Sequence, residues 1–180
     1  MKNRIQLNFL GEAFALQNGL RMKLKKKPLG ILAYMVSHKQ PVPRSEIATL
    51  FWPEKDSKRG LNNLGVLLHR LPSPIKDCLK ITKDEILFLS DQAEVDINQF
   101  NENLHFSRQV WQKENELKKT VRNTLEASLE LYKGAFLEQF YLDGHEKFMA
   151  WLTHKQESYK HRAMSTATLL ASYYQERSNY

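Results

Sequence analysis

The run RGLNNLGVLLHR, from Arg59 to Arg70, spaces Arg, Asn and His residues so that they share one side of a helix. Those side chains can read nucleic-acid bases. Arginine offers a two-donor fork to guanine, and asparagine pairs with adenine through a donor and an acceptor at once. At about 100° per residue, Leu61, Leu64, Gly65, Leu67, Leu68 and Leu71 fall on one arc. Arg59, Asn62, Asn63, Val66, His69 and Arg70 fall on the other. A merely solvated face ordinarily mixes Glu with Lys, whereas this one carries no acid from Arg59 to Arg70.

The flanks define the helix that would carry this face. Asp56 or Ser57 can cap its first turn, because a short side-chain oxygen there accepts from an otherwise unpaired amide. Pro72 stops it by lacking an N–H. A second, shorter helix precedes it, from Arg44 to Phe51, with Pro43 near its first turn and Pro53 just past its end. Before that, Leu29, Leu32, Ala33, Met35 and Val36 recur at helical period, and the pattern stops at Pro41.

On the N-terminal side, Ile5, Leu7 and Phe9, then Phe14 and Leu16, then Leu20, Met22 and Leu24 alternate in short bursts broken by Gly11 and Asn18-Gly19. Asn-Gly between alternating segments is a hairpin signal, so three short antiparallel strands are expected. After the third helix, Leu79-Lys80-Ile81 and Ile86 to Leu89 flank a Thr-Lys-Asp-Glu turn and form a second hairpin. Strands, three helices and a hairpin are the element order of a winged helix-turn-helix with an N-terminal β-sheet, in which the third helix enters the major groove. The fold class is therefore α+β over residues 1–95.

Beyond Val95 only helical signals remain, so residues 96–180 are expected to form an all-α domain. One stripe runs Leu117, Val121, Leu125, Ser128, Tyr132; another runs Phe148, Trp151, Leu152, Tyr159, Ala163, Thr166, Leu170, Tyr173. Lys133-Gly134 and Asp143-Gly144 punctuate them. Such stripes are helix-packing core rather than a ligand box. The last helix runs into Asn179-Tyr180 with no partner following, which points to an incomplete helical array.

Charge divides the chain the same way. Residues 1–95 hold 16 Lys and Arg against 9 Asp and Glu, while residues 96–180 hold 11 of each, so the whole net charge of +7 lies in the first half. A basic segment meets a polyanion, because phosphate neutralisation needs local positive charge. The Lys25-Lys26-Lys27 run is too short for a membrane-surface helix. No apolar run approaches the roughly twenty residues of a membrane span. The single cysteine, Cys78, excludes an internal disulfide and a cysteine-based zinc site, and fits a reducing cytoplasm. An apolar content of 42% is that of a soluble globular protein.

A search for enzyme chemistry finds nothing. Gly60 and Gly65 have phosphate-loop spacing, but Val66-Leu67 stand where Lys and Ser or Thr must reach phosphate and magnesium. Gly144-His145-Glu146 begins like a zinc-protease helix, yet Phe148 lies near the place of the second ligand. His154 and His161 lie two turns apart around Glu157, a pairing commoner on a surface than at a metal. No catalytic residue, cofactor or metal site is expected.

Several stretches together resemble bacterial activators of the Streptomyces antibiotic regulatory protein type. These are LNFLGEAFALQNG at Leu7 to Gly19, Leu32-Ala33-Tyr34, PVPRSEIATLFWPEKD at Pro41 to Asp56, LNNLGVLLHRL at Leu61 to Leu71, and EVDINQF at Glu94 to Phe100. LELYKGAFLEQF at Leu129 to Phe140, with Trp151-Leu152, resembles that family's activator domain. The resemblance covers nearly the whole chain. It implies a cytoplasmic transcription activator with a response-regulator-like winged helix, joined to a bacterial transcriptional activator domain related to tetratricopeptide repeats. It further implies double-stranded promoter DNA and RNA polymerase as partners, a homodimer on direct repeats, and a chain that is the N-terminal portion of a longer regulator.

Carried over by position, Arg59, Asn62, Asn63, Val66, His69 and Arg70 would read bases. Arg44, Ser57, Lys58, Lys80, Thr82 and Lys83 would hold phosphate or form the wing. Two departures stand out. Pro72, Ser73 and Pro74 follow the reading helix where members continue with basic and apolar residues, and Gly60 replaces a usual alanine at a propensity cost on the order of 1 kcal/mol. The competing reading is a protein-interaction module whose winged helix no longer binds DNA. A docking face would be expected to show an apolar anchor larger than Val66.

Overall fold

A computed structural model describes residues 5–114 and 119–178. Strand β1 (Ile5–Asn8) buries Ile5 and Leu7 and turns Gln6 and Asn8 towards solvent, the period of a half-covered strand. It pairs antiparallel with β2 (Phe14–Gln17), which turns back into β3 (Leu20–Arg21). The turn uses positive φ at Asn18 (52°) and Gly19 (83°), the combination that lets a two-residue hairpin follow the strand twist. The third strand is shorter than its alternation predicts: Met22 N still donates to Ala15 O at 2.8 Å, and Met22 and Leu24 pack against the core beyond its end.

Helix α1 (Lys26–Val36) ends before the proline expected to stop it. The Ser37 hydroxyl and amide both donate to Ala33 O, which closes the last turn early. Strand β4 (Val42–Pro43), helix α2 (Arg44–Phe51) and helix α3 (Ser57–Arg70) follow, and both helices have the limits the sequence implied. Pro72 and Pro74 do not open a loop. They start a single turn, α4 (Ser73–Lys76), from which Lys76 Nζ donates to His69 O at 3.4 Å, beside the end of α3.

Strands β5 (Leu79–Ile81) and β6 (Glu85–Phe88) form the expected hairpin, and β4 completes a three-stranded sheet in the order β4-β6-β5. Strand β7 (Ala93–Val95) was not anticipated. It pairs parallel with β1, giving the first sheet the order β3-β2-β1-β7.

Helices α5 (Asp96–Glu114), α6 (Lys119–Leu131) and α7 (Glu146–Ser178) account for the second half. Both predicted stripes lie on them, except Tyr132, which follows the end of α6, and Leu117, which is outside the described residues. The segment between α6 and α7 does more than connect. Phe136 bridges to Leu10, and Leu137 N donates to Phe9 O at 2.7 Å, so this stretch lies against the N-terminal sheet.

One apolar core consequently runs from Ile5 to Ala163. Within it lies an aromatic seam in which Tyr34 of α1 and Phe51 of α2 meet Trp151 and Phe148 of α7 at centroid distances of 4.8 and 4.7 Å. Gly30 makes room there, since a Cβ on it would lie 2.9 Å from the tip of the Phe140 ring. At the other end of the core the buried Asp96 carboxylate accepts from Phe9 N (2.6 Å), Leu10 N (2.7 Å) and Ile97 N (2.7 Å). It thereby fastens the end of β1 to the start of α5. Burial outweighs those bonds and pushes the carboxyl up to about 6.

Candidate nucleic-acid interface

The outward side of α3 is set by what its inward side packs on. Leu64 and Leu68 are buried, and Gly60 rests on Ala48 of α2, where an added Cβ would lie 3.4 Å from the Ala48 Cβ. An alanine there would meet Ala48 at ordinary van der Waals distance, so the approach of α3 to α2 does not require the glycine that costs helix propensity. Asp56 supplies the N-cap, its Oδ1 accepting from Arg59 N at 2.9 Å.

With that side buried, Lys58, Arg59, Asn62, Val66, His69 and Arg70 are exposed, and Ser57 is exposed at the first turn. Asn63 is half-buried, a position shared with Gly65 and Leu67. Val66 is 49% exposed and gives the face a methyl surface among polar groups. Arg59 is not solitary: its Nε lies 3.5 Å from Asp56 Oδ2, in an exposed pair. Contact with a polyanion would exchange that partner for phosphate or base oxygens.

The wing is held to the same helix pair. Its turn is closed from within, since Thr82 N donates to Glu85 O at 2.9 Å and the Thr82 hydroxyl accepts from Glu85 N at 3.1 Å. Thr82 thus spends its hydroxyl on the turn, and it is Lys80 and Lys83 that project charge. Ile81 is 40% exposed between them. Asp84 and Glu85 are exposed on the same hairpin and work against phosphate approach.

Arg44 has a place that the sequence did not reveal. Its amide donates to Asp84 O at 2.8 Å and its Nη1 to Thr82 O at 3.2 Å, so α2 grips the wing through one residue. Its Nη2 would lie 3.7 Å from a Cβ on Gly65 of α3, and its Nε is buried without a hydrogen-bond partner among the described residues. The guanidinium therefore sits where α2, α3 and the wing converge. Besides the phosphate contact expected of it, it ties the wing to the helices.

Lys27 also serves the fold. Its Nζ donates to Phe51 O at 2.8 Å and lies 4.9 Å above the Trp52 ring, while His145, just before α7, places Nε2 3.0 Å from the same carbonyl. Burial holds the lysine below its ordinary range, against the pull of Glu54. Tyr34 donates to Glu46 at 2.6 Å across α1 and α2, and burial and that bond push its phenol up. Cys78 is buried, and burial pushes its thiol up to about 11, which leaves little reactive thiolate.

Elsewhere, Gly60 and Gly65 lie inside α3 rather than on a phosphate-cradling loop. His154 and His161 are exposed on α7, and no group of three potential metal ligands occurs among the described residues. No helix of the described residues is long and apolar enough to cross a membrane.

No family model and no curated protein matches the chain. A solved structure does: Mycobacterium tuberculosis EmbR, in complex with a low affinity phosphopeptide, has a TM-score of 0.69 at 15% identity. The match covers 94% of this chain and 45% of that one, so the chain spans less than half of the EmbR chain. At that identity the likeness is one of fold: an α+β winged helix-turn-helix followed by helices.

Proposed function

We propose that this chain is a transcription regulator of the Streptomyces antibiotic regulatory protein type that binds promoter DNA, with α3 in the major groove and the β5–β6 hairpin as its wing. The carrying observation is the acid-free outer side of α3, exposed beside a lysine-bearing wing and braced from behind by α2. The EmbR-like fold supports the family assignment.

In this reading Arg59, Asn62, Asn63, Val66, His69 and Arg70 face base edges, with Asn63 and Arg70 choosing among them through paired hydrogen bonds. Lys58, Lys80 and Lys83 neutralise phosphate, and the first-turn amides around Ser57 offer a further anion contact. Arg44 fixes the angle between wing and reading helix. Activation, contact with RNA polymerase, pairing on direct repeats, a cytoplasmic setting and the division into units at 1–95 and 96–180, the second tetratricopeptide-like, belong to the same proposal. The role is one of binding, not catalysis.

Selection of the protein against a random duplex library at near-physiological salt tests it. The expected result is one enriched motif, with half-sites about one helical turn apart if two copies bind. Recovery of no motif, with binding governed by salt alone, would leave only generic attraction between the +7 chain and DNA and would overturn the reading.

A further inference from the structure

In the second half of the chain, α5, α6 and α7 line a half-open cavity of about 310 Å³. Its floor is apolar, built from Leu104, Val121, Leu125 and Leu169. Cations stand at its edge: Arg108 of α5 and Arg162 of α7 are exposed there, and no carboxylate lines it among the described residues. Arg162 donates through Nη1 to Asn101 Oδ1 at 2.7 Å, which orients the guanidinium while leaving it further N–H groups. Positive charge accumulates along this part of α7. Burial and then the nearby Arg162 hold Lys155 below the ordinary lysine range.

A second feature is independent of that charge. The buried hydroxyls of Ser128 and Thr166 return to Thr124 O and Arg162 O, each at 2.8 Å, the usual resort of a hydroxyl inside a helix. Ser107 is 4% exposed and lines the cavity, yet its Oγ meets no hydrogen-bond partner among the described residues. A buried hydroxyl left unbonded costs free energy that a bound acceptor would recover.

We infer that this cavity is a binding site for a small amphipathic carboxylate, with its apolar body on the leucine and valine floor and its carboxylate between Arg108 and Arg162. Ser107 donates to the ligand from within. A few placed polar groups over an apolar floor is the usual construction of a small-molecule site. A guanidinium matches a carboxylate in shape as well as charge. The site is separate from the DNA-binding reading and does not rest on it.

Calorimetric titration of the whole chain with octanoate, 1-octanol and acetate, all below micellar concentrations, tests the assignment. Octanoate is expected to bind saturably at one site, about tenfold or more tighter than 1-octanol, because the charged hydrogen bonds are lost with the alcohol. Acetate, lacking the apolar body, is expected to show no saturable binding. Arg108→Gln should remove the preference for octanoate over octanol, and Ser165→Phe at the rim should block both ligands. Both positions are exposed, and circular dichroism of the free variants verifies their folding. Equal affinity for octanoate and octanol would overturn the carboxylate assignment. Octanoate binding that is absent, unsaturable or indifferent to both variants would overturn the site itself.

Discussion

The outer side of α3 and the seam joining α7 to α1 and α2 use opposite residue chemistry for opposite ends. In the seam, Phe51, Phe148, Trp151 and Tyr34 pack against one another at centroid distances from 4.7 to 6.3 Å. On α3, Asn62, His69 and Arg70 are presented to solvent. The difference teaches how a surface proposed to read DNA can be made dependable. Polar side chains that must meet a ligand stay exposed, and their positions are fixed by packing beneath the backbone that carries them.

The largest expected effect comes from breaking the seam. Phe148→Ala removes a fully buried ring that touches Phe51, Phe140 and Trp151, and should lower stability by roughly 3–5 kcal/mol, read by chemical denaturation. Because the core is continuous, both halves should still unfold in one transition. Two separated transitions, with only the later one shifted, would show that the halves are not braced together.

Asp96→Ala comes next. It strands the amides of Phe9, Leu10 and Ile97 and should cost roughly 2–4 kcal/mol by the same measurement. The pH dependence carries a definite sign. The folded carboxyl is raised from 3.8 to about 6, so the folded state binds the proton more readily than the unfolded chain does. Above about 6 both states are ionised and the fold bears the whole cost of burying the charge. That cost falls as pH drops through about 6 and is gone below about 4. Relative to Asp96→Asn, the natural protein should therefore gain stability between neutral pH and about 4, and a relative loss there would contradict the burial-dominated account.

Smaller effects are expected on the exposed side, and in binding rather than stability. Asn63→Ala or Arg70→Ala should cost about 1–3 kcal/mol on the selected DNA site and relax the preference at one base position. Lys83→Ala should do less, weakening every sequence alike and lowering the slope of affinity against salt by about one, as measured by fluorescence anisotropy.

Much of this was legible in the sequence because local chemistry punctuates it. Pro43, Asp56 and Pro72 mark where α2 and α3 begin and end, and Asn18-Gly19 marks the first hairpin. The exposed side of α3 could be read from periodicity alone, since Leu64 and Leu68 fix which way it faces. What escaped depends on partners distant in the chain. Strand β7 is three residues long and exists because β1 lies beside it. Phe136 and Leu137 occupy a segment that sounds like a loop and is buried only by contact with Phe9 and Leu10. Arg44 reads as a phosphate contact, and nothing local foretells that Thr82 O and Gly65 converge on it.

The most direct test of the central claim compares the natural protein with an Asn63→Ala/Arg70→Ala variant on the selected duplex and on an unrelated duplex at the same salt. The account predicts that the ratio of the two affinities collapses towards one in the variant while affinity for the unrelated duplex is largely kept. Equal weakening on both duplexes, or an unchanged ratio, would contradict base reading by α3.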